Sequence, residues 1–391
     1  MLDMARQTTI KNAETRQGLR VLHVCESLPG GPASYLNEII PYQRAIYGAG
    51  NIAVVVPEGQ KQALTEIGGL PAYTYAREGR SPRDLTRLFI TLRNACRDFQ
   101  PNLVHLHGTF AGLVGRLLKV TGGTRAPILY CAHGWAVDPD RPSRARVFFG
   151  CIEYMLSYVT TRIINISPHE EVFLRRWGIG GRRCTLIVSG IADLAEPPAL
   201  VEPSEVAGGP LQLLFIGRTD PQKGFDLLSA EFDRAPDVDF QLRVAGSSVV
   251  SRSHGTPGQD DPRVSFLGWV DRDSLPALLD ASDALIMPSR WEGLPLAALE
   301  ALRSGKALIT SHRGPFPFLV KDGLNGVMMN IDEPGFFARA MRGIDRPALR
   351  RMGRQARADF EAKYRSERMN KELAALYDEV VGAGVMGTRP A

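Results

Sequence analysis

The sequence predicts an α/β protein built from two doubly wound parallel-sheet domains. Three observations predict it. Short, nearly continuous apolar runs alternate with amphipathic segments whose apolar residues recur at three and four, the pattern of parallel strands covered by helices on both faces. The alternation breaks at a stretch rich in Pro, Glu, Ala and Gly, then restarts. The 391 residues are too many for one ordinary domain and comfortable for two.

Residues 1–17, "MLDMARQTTIKNAETRQ", are polar and contain no apolar core of a signal, so they read as a loose extension. Within an N-terminal domain at 18–190, "GLRVLHVCE", "NIAVVVPE", "PNLVHLHG", "APILYCAHG" and "RIINIS" each read as a buried strand ending in a turn. "SPRDLTRLFITLRNACRDF" carries helical periodicity between two of them. A linker follows at 191–210. Strand-like runs resume with "LQLLFIGRTD", "FQLRVAG", "RVSFLGW", "DALIMPS" and "KALITS" in a C-terminal domain at 211–365. Residues 366–391 read as a helix returning to the N-terminal domain, with a frayed tail. Two such domains are expected to face each other across a cleft at their strand C-termini, where sheets of this kind bind ligands.

Composition narrows the class. With 44% hydrophobic and 23% charged residues the chain reads as a soluble globular protein, and no apolar run reaches the roughly 18–20 residues of a bilayer span. The cytoplasm is the expected compartment, extending to the inner face of the plasma membrane. Five widely spaced cysteines without a CxxC read as buried free thiols. Residues 1–200 hold 23 Lys and Arg against 16 Asp and Glu, a net of +7 that leaves −2 for the rest. Such a half suits anionic lipid, a phosphorylated acceptor or simple solvation. Its basic residues are scattered and lack interleaved aromatics, so nucleic acid is not an expected partner.

The segment "SRWEGLPLAALEALRSGKALITS" holds Glu292 and Glu300 on either side of an expected helix start. Pro295 is tolerated in a first turn because its missing N–H has no partner there. Unpaired N–H groups around Gly293, Leu294 and Pro295 and the helix dipole make an anion site. Eight helical rises give about 12 Å between the carboxylates, enough for one to grip a ribose and the other a sugar. In "LFIGRTDPQKGFDLL", Gly217 and Arg218 follow a strand and Lys223 heads a helix, placing two cations to neutralise a diphosphate.

These motifs resemble the retaining nucleotide-sugar glycosyltransferases of family 4, which have the GT-B architecture of two Rossmann-like domains. The resemblance spans nearly the whole chain, and the paired glutamates are its most specific part. It implies that Arg218 and Lys223 hold the diphosphate, Glu300 the ribose, and Glu292 the transferred sugar, oriented by amides near Gly293 and Leu294. "LPGGPASYL" matches the family's Gly-rich loop at Gly30 and Gly31, and "ILYCAHGW" places the family's active-site histidine at His133. Ser189 stands where many members have Asn, and after the last strand Pro315 and Phe318 replace a second Gly and a Glu.

Other motifs are set aside. "DPD" at Asp138 to Asp140 and "DRD" at Asp271 to Asp273 read as loop residues, and the resemblance implies cations in place of a metal, so no metal and no cofactor is expected. His169 lacks the second histidine of a zinc protease. His105 and His107, two apart on one strand face, are read as packing and turn residues, with one lining the cleft floor as the alternative. "RARVFFGCIEYMLSYVTTR" is apolar with basic ends and fits either an interfacial membrane helix or a core helix. The expectation is a retaining hexosyltransferase moving a sugar from a nucleoside diphosphate to a saccharide or lipid-linked acceptor in bacterial surface-polysaccharide synthesis. Peripheral contact with an anionic membrane belongs to that reading. The competing classes are a nucleotide-sugar epimerase or hydrolase and a non-catalytic nucleotide-sugar-binding protein.

Overall fold

A computed structural model of the chain describes residues 18–65, 67–140, 146–196, 208–246 and 260–386. The N-terminal extension, the middle of the expected linker and the last residues of the tail lie outside the described residues. Two compact units divide the chain: residues 1–192 with 365–391, and residues 193–364.

The first unit holds strands β1 (Val21–Cys25), β2 (Ile52–Pro57), β3 (Ala72–Tyr75), β4 (Leu103–His107), β5 (Ile128–Cys131), β6 (Arg162–Asn165) and β7 (Cys184–Leu186). They form one sheet in the order β3-β2-β1-β4-β5-β6-β7, paired in parallel throughout. The second holds β8 (Leu211–Ile216), β9 (Phe240–Ala245), β10 (Val264–Gly268), β11 (Ala284–Met287), β12 (Ala307–Ser311) and β13 (Gly326–Met329). Their order is β10-β9-β8-β11-β12-β13, again parallel. These are two Rossmann-like sheets. In each, chain order reverses at the centre, between β1 and β4 and between β8 and β11. In sheets of this order ligands are expected beyond the strand C-termini at that point, because successive crossovers leave on opposite faces.

The central strands are apolar along their whole length because both faces are covered: every residue of β1, β2, β4 and β5 is buried. β3 and β7 escaped the sequence reading. Both are short edge strands with partly exposed side chains, so neither shows an apolar run. Helix Pro82–Phe99 begins with a capping box in which Ser81 Oγ accepts from the Asp84 amide and Asp84 accepts from that of Ser81. Leu88, Leu92, Ala95 and Phe99 then bury one helical face.

The C-terminal helix Ser366–Met386 belongs to the first unit. Asn370 Nδ2 donates to the Glu38 carbonyl on helix Gly31–Tyr47, and Tyr377 is fully buried between that helix and the sheet's histidines. No helix among the described residues is long and apolar enough to cross a membrane. The thiols depart from expectation at one position. Cys25, Cys96 and Cys131 are buried and Cys184 half-buried, but Cys151 is exposed on the outward face of helix Arg146–Ser157.

Candidate functional site

In the second unit the predicted cations and Glu292 meet at the β8/β11 reversal. The loop after β8 carries Arg218 and Lys223, and the loop after β11 carries Glu292. Lys223 Nζ donates to Glu292 Oε1 at 2.6 Å, and both side chains are largely buried. The loops are tied by backbone: the Arg290 amide donates to the Gln222 carbonyl at 2.8 Å, and Gln222 Nε2 to the Trp291 carbonyl at 3.3 Å. Arg290 also makes a two-pronged pair with Asp226, both contacts at 2.8 Å. Sequence reasoning missed Gln222, Asp226 and Arg290, since nothing local shows that they face each other across the reversal.

Two glycines make this approach possible. Gly217, at φ 145°, lies so close to Lys223 that a Cβ would stand 3.2 Å from its side chain. Gly224, at φ 70°, touches the other loop, where a Cβ would fall 2.1 Å from the Pro288 carbonyl oxygen. Arg218 remains about half exposed, held by Asp220 at 3.0 Å and Gln222 at 2.9 Å.

The helix after Glu292 runs Leu296–Arg303, with Pro295 at the N-cap one residue before the expected first turn. Glu292 therefore stands outside the helix, and the helical rise used to space the two carboxylates does not apply to them. Its N-cap residue, Pro295, has no side chain to accept from the first amides, and no acid lies in its first turn. Glu300 is buried at 5% exposure rather than solvated. Gly314 adjoins Glu292, a Cβ there lying 3.4 Å from the Glu292 amide. Pro315 caps the short helix Phe316–Leu319 and Phe318 faces outward, so neither substitution fills the space beside Glu292 with a carboxylate.

The first unit places its predicted residues at the β1/β4 reversal and beside it. Gly30 caps helix Gly31–Tyr47 at φ 92°, a conformation that favours glycine. Gly31 has neither a positive φ nor a neighbour within 4 Å of an added Cβ. His133, after β5, is half-buried at φ 53°. Burial pushes its pKa down to about 3, so the imidazole is neutral at pH 7.

His105 and His107 are more than packing residues, because they sit in a buried hydrogen-bonded cluster. His133 Nε2 meets His107 Nδ1 at 3.0 Å, His107 Nε2 meets His23 Nδ1 at 3.0 Å, and His23 Nε2 meets Gln43 Oε1 at 2.7 Å. With Gln43 presenting its carbonyl oxygen, each imidazole in turn must donate from Nε2. His133 then keeps its Nδ1 lone pair beside Cys131 Sγ, 3.6 Å away. Tyr377 OH, 2.7 Å from His105 Nδ1, ties the cluster to the C-terminal helix. Ring nitrogens of His23, His105 and His107 also lie within 4.8 Å of one another, a spacing at which imidazoles can hold a metal ion. His23 was missed in an otherwise apolar strand; its signal is the register that pairs it with His105 across β1 and β4.

Ser189 is buried with no partner for its hydroxyl. Asp138 lies in a loop but is buried, 3% exposed, with its Oδ2 3.3 Å from His169 Nε2. Asp271 and Asp273 are exposed in a turn, as expected.

Comparison with known proteins follows the same division. A glycosyl transferase 4-like domain matches residues 13–190, and a domain of the glycosyl transferases group 1 matches residues 210–344. The Klebsiella pneumoniae protein described as "Uncharacterized 41.2 kDa protein in cps region" is 27% identical over 322 residues, covering 81% of this chain and 87% of that one. The Escherichia coli UDP-Gal:alpha-D-GlcNAc-diphosphoundecaprenol alpha-1,3-galactosyltransferase is 24% identical over 310 residues, 75% of this chain and 79% of its own. Among solved structures, sucrose-phosphate synthase from Thermosynechococcus elongatus superposes with a TM-score of 0.76 at 19% identity, over 94% of this chain and all of that one.

Proposed function

We propose, from the premise that this chain is a glycosyltransferase of the GT-B type, that it transfers a hexose from a nucleoside diphosphate to a lipid-linked acceptor with retention at the anomeric carbon. The observation that carries this is the Lys223–Glu292 pair beside Arg218 and a helix N-terminus at the β8/β11 reversal. A diphosphate needs fixed positive charge in a site that already exists before binding. Arg218, half exposed, would trade its contacts with Asp220 and Gln222 for a phosphate, while Lys223 is preset by Glu292. Glu300 is assigned to the ribose and Glu292 to the sugar.

In the reaction proposed, the bond from C1 to the diphosphate oxygen breaks and the acceptor hydroxyl oxygen bonds to C1 on the same face. The acceptor proton passes to the departing phosphate oxygen. Lys223, Arg218 and the helix end stabilise the charge left on that phosphate, and no protein nucleophile is needed. On the acceptor side, His133 is neutral and its tautomer is set by His107 and His23, so it presents an uncharged ring whose Nδ1 lone pair faces the Cys131 thiol. The name of the Escherichia coli relative carries a diphosphoundecaprenol acceptor, which supports a lipid-linked acceptor here, and the cps region of the Klebsiella relative supports a role in surface-polysaccharide synthesis.

The test is a thermal-shift screen with UDP, GDP, ADP and their hexoses, followed by transfer to an undecaprenyl-diphosphate sugar and NMR of the product linkage. One nucleotide should raise the melting temperature by mass action. Lys223→Ala should lower kcat by about 10²–10³-fold, the usual cost of one donor to a developing anion. Full activity in Lys223→Ala, or an inverted linkage, would refute the assignment.

A further inference from the structure

Helix Arg146–Ser157 is built inside out. Its one carboxylate, Glu153, points inward and pairs at 2.7 Å with Arg116, which is itself completely buried. Its apolar residues point outward. At about 100° per residue, Val147, Phe148, Cys151, Tyr154, Met155 and, just past the helix end, Tyr158 share one stripe about 120° wide. All six are exposed, Val147, Phe148 and Met155 by more than 60%, and no charged residue interrupts them. Single exposed apolar residues are ordinary, but a contiguous uncharged stripe marks an interaction surface.

A second observation states what covers it. The segment Arg175–Arg183, "RRWGIGGRR", packs along the same helix and carries four arginines. The Trp177 ring fills the space over Gly150, where a Cβ would lie 2.1 Å from it, and the Tyr154 ring lies over Gly178. The Arg183 guanidinium sits 4.1 Å above the centre of the Tyr158 ring. Arg175, Arg176 and Arg182 are exposed, and Glu171, paired with Arg175, is the acid of that neighbourhood that reaches solvent. An apolar stripe edged by clustered arginine and aromatic hydroxyls matches the boundary between lipid tails and anionic headgroups. A two-fold contact between two copies of this patch would set the arginines against their own counterparts.

We propose that helix Arg146–Ser157, together with the Arg175–Arg183 segment, docks the protein on an anionic lipid bilayer, with the stripe sunk to the headgroup boundary. The inference stands apart from the donor reading, since binding to a bilayer is measured with no sugar nucleotide present.

The experiment is co-sedimentation of the full chain with large vesicles of phosphatidylcholine mixed with phosphatidylglycerol, and with phosphatidylcholine alone. The mixed vesicles should bind at least about tenfold more protein, and the gain should shrink as salt rises. Phe148→Ser with Met155→Ser, and separately Arg176→Glu with Arg182→Glu, should each cut partitioning by about tenfold or more. All four positions are exposed, so both variants should melt at the wild-type temperature. Equal binding to both vesicle types, or folded variants that bind like wild type, would overturn the proposal. So would a dimer in analytical ultracentrifugation that Phe148→Ser with Met155→Ser dissolves, because the stripe would then belong to a second copy.

Discussion

Gly224 shows how one residue decides whether the loops after β8 and β11 meet. It stands at φ 70°, and a Cβ would fall 2.1 Å from the Pro288 carbonyl oxygen, a backbone atom that cannot move without the β11 loop. Gly314 has a similar φ of 60°, but a Cβ there finds its nearest neighbour 3.4 Å away. The comparison separates two costs. Gly314→Ala should lose only the left-handed backbone penalty, about 1–2 kcal/mol. Gly224→Ala adds a forced displacement and should lose about 3–5 kcal/mol, with a fall in activity as Lys223 is carried away from Glu292. Urea unfolding of both variants checks this; equal losses would mean that the loops are not in contact. The sequence carried Lys223 and Glu292 as chemistry-bearing types, because charge in a polar loop after an apolar strand is visible. It did not carry their 2.6 Å pairing, which depends on two glycines whose role lies wholly in backbone geometry.

Among the elements, helix Arg146–Ser157 marks where pattern reading stops. Its apolar residues recur at helical spacing, and that predicts a helix but also predicts that the apolar stripe faces the core. The structure turns it the other way because Glu153 has Arg116 waiting on helix Thr109–Val120, and Tyr130 completes the arrangement with its ring 4.1 Å from the guanidinium. Periodicity gives the direction of the stripe relative to the helix, not the identity of what sits beneath it. The buried pair makes its own prediction. Arg116→Met leaves Glu153 buried without a cation and should cost about 3–5 kcal/mol. Adding Glu153→Leu removes the stranded charge and should return most of that loss, since an apolar pair of similar volume is often as stable. The check is a double-mutant cycle by chemical denaturation, in which additive losses would show that the two side chains act independently. By contrast, β1, β2, β4 and β5 were legible at once, as strands buried on both faces must be apolar throughout.

At the scale of the molecule, the two parallel sheets follow from alternation and length, while the clustering of histidine in one of them does not. His23, His105, His107 and His133 come from three strands or strand ends and meet because β1, β4 and β5 are neighbours in a sheet order that the sequence does not state. Their burial has a thermodynamic consequence for the whole first unit. All four are held neutral by desolvation, His23 down to about 4 and His133 to about 3, with His105 and His107 also well below the ordinary 6.5. The unfolded chain takes up a proton at each near pH 6.5 and the folded unit does not. Between about pH 4 and 6.5 the unfolded state therefore binds more protons, and stability rises with pH across that window and is lost as pH falls. Glu170 works in the opposite sense. Burial raises it from 4.5 to about 7, so between those values the folded unit retains a proton that the unfolded chain has released. Four groups oppose one, and the net slope is acid-labile. Differential scanning calorimetry from pH 7 down to pH 5 should show the first unit's transition moving to lower temperature. Glu170→Gln removes the opposing proton and should make that fall steeper, because the histidines then act alone. A transition that stays level over this range would mean that the imidazoles are protonated inside the fold, and the one-way hydrogen-bond order from His133 to Gln43 would fail with it.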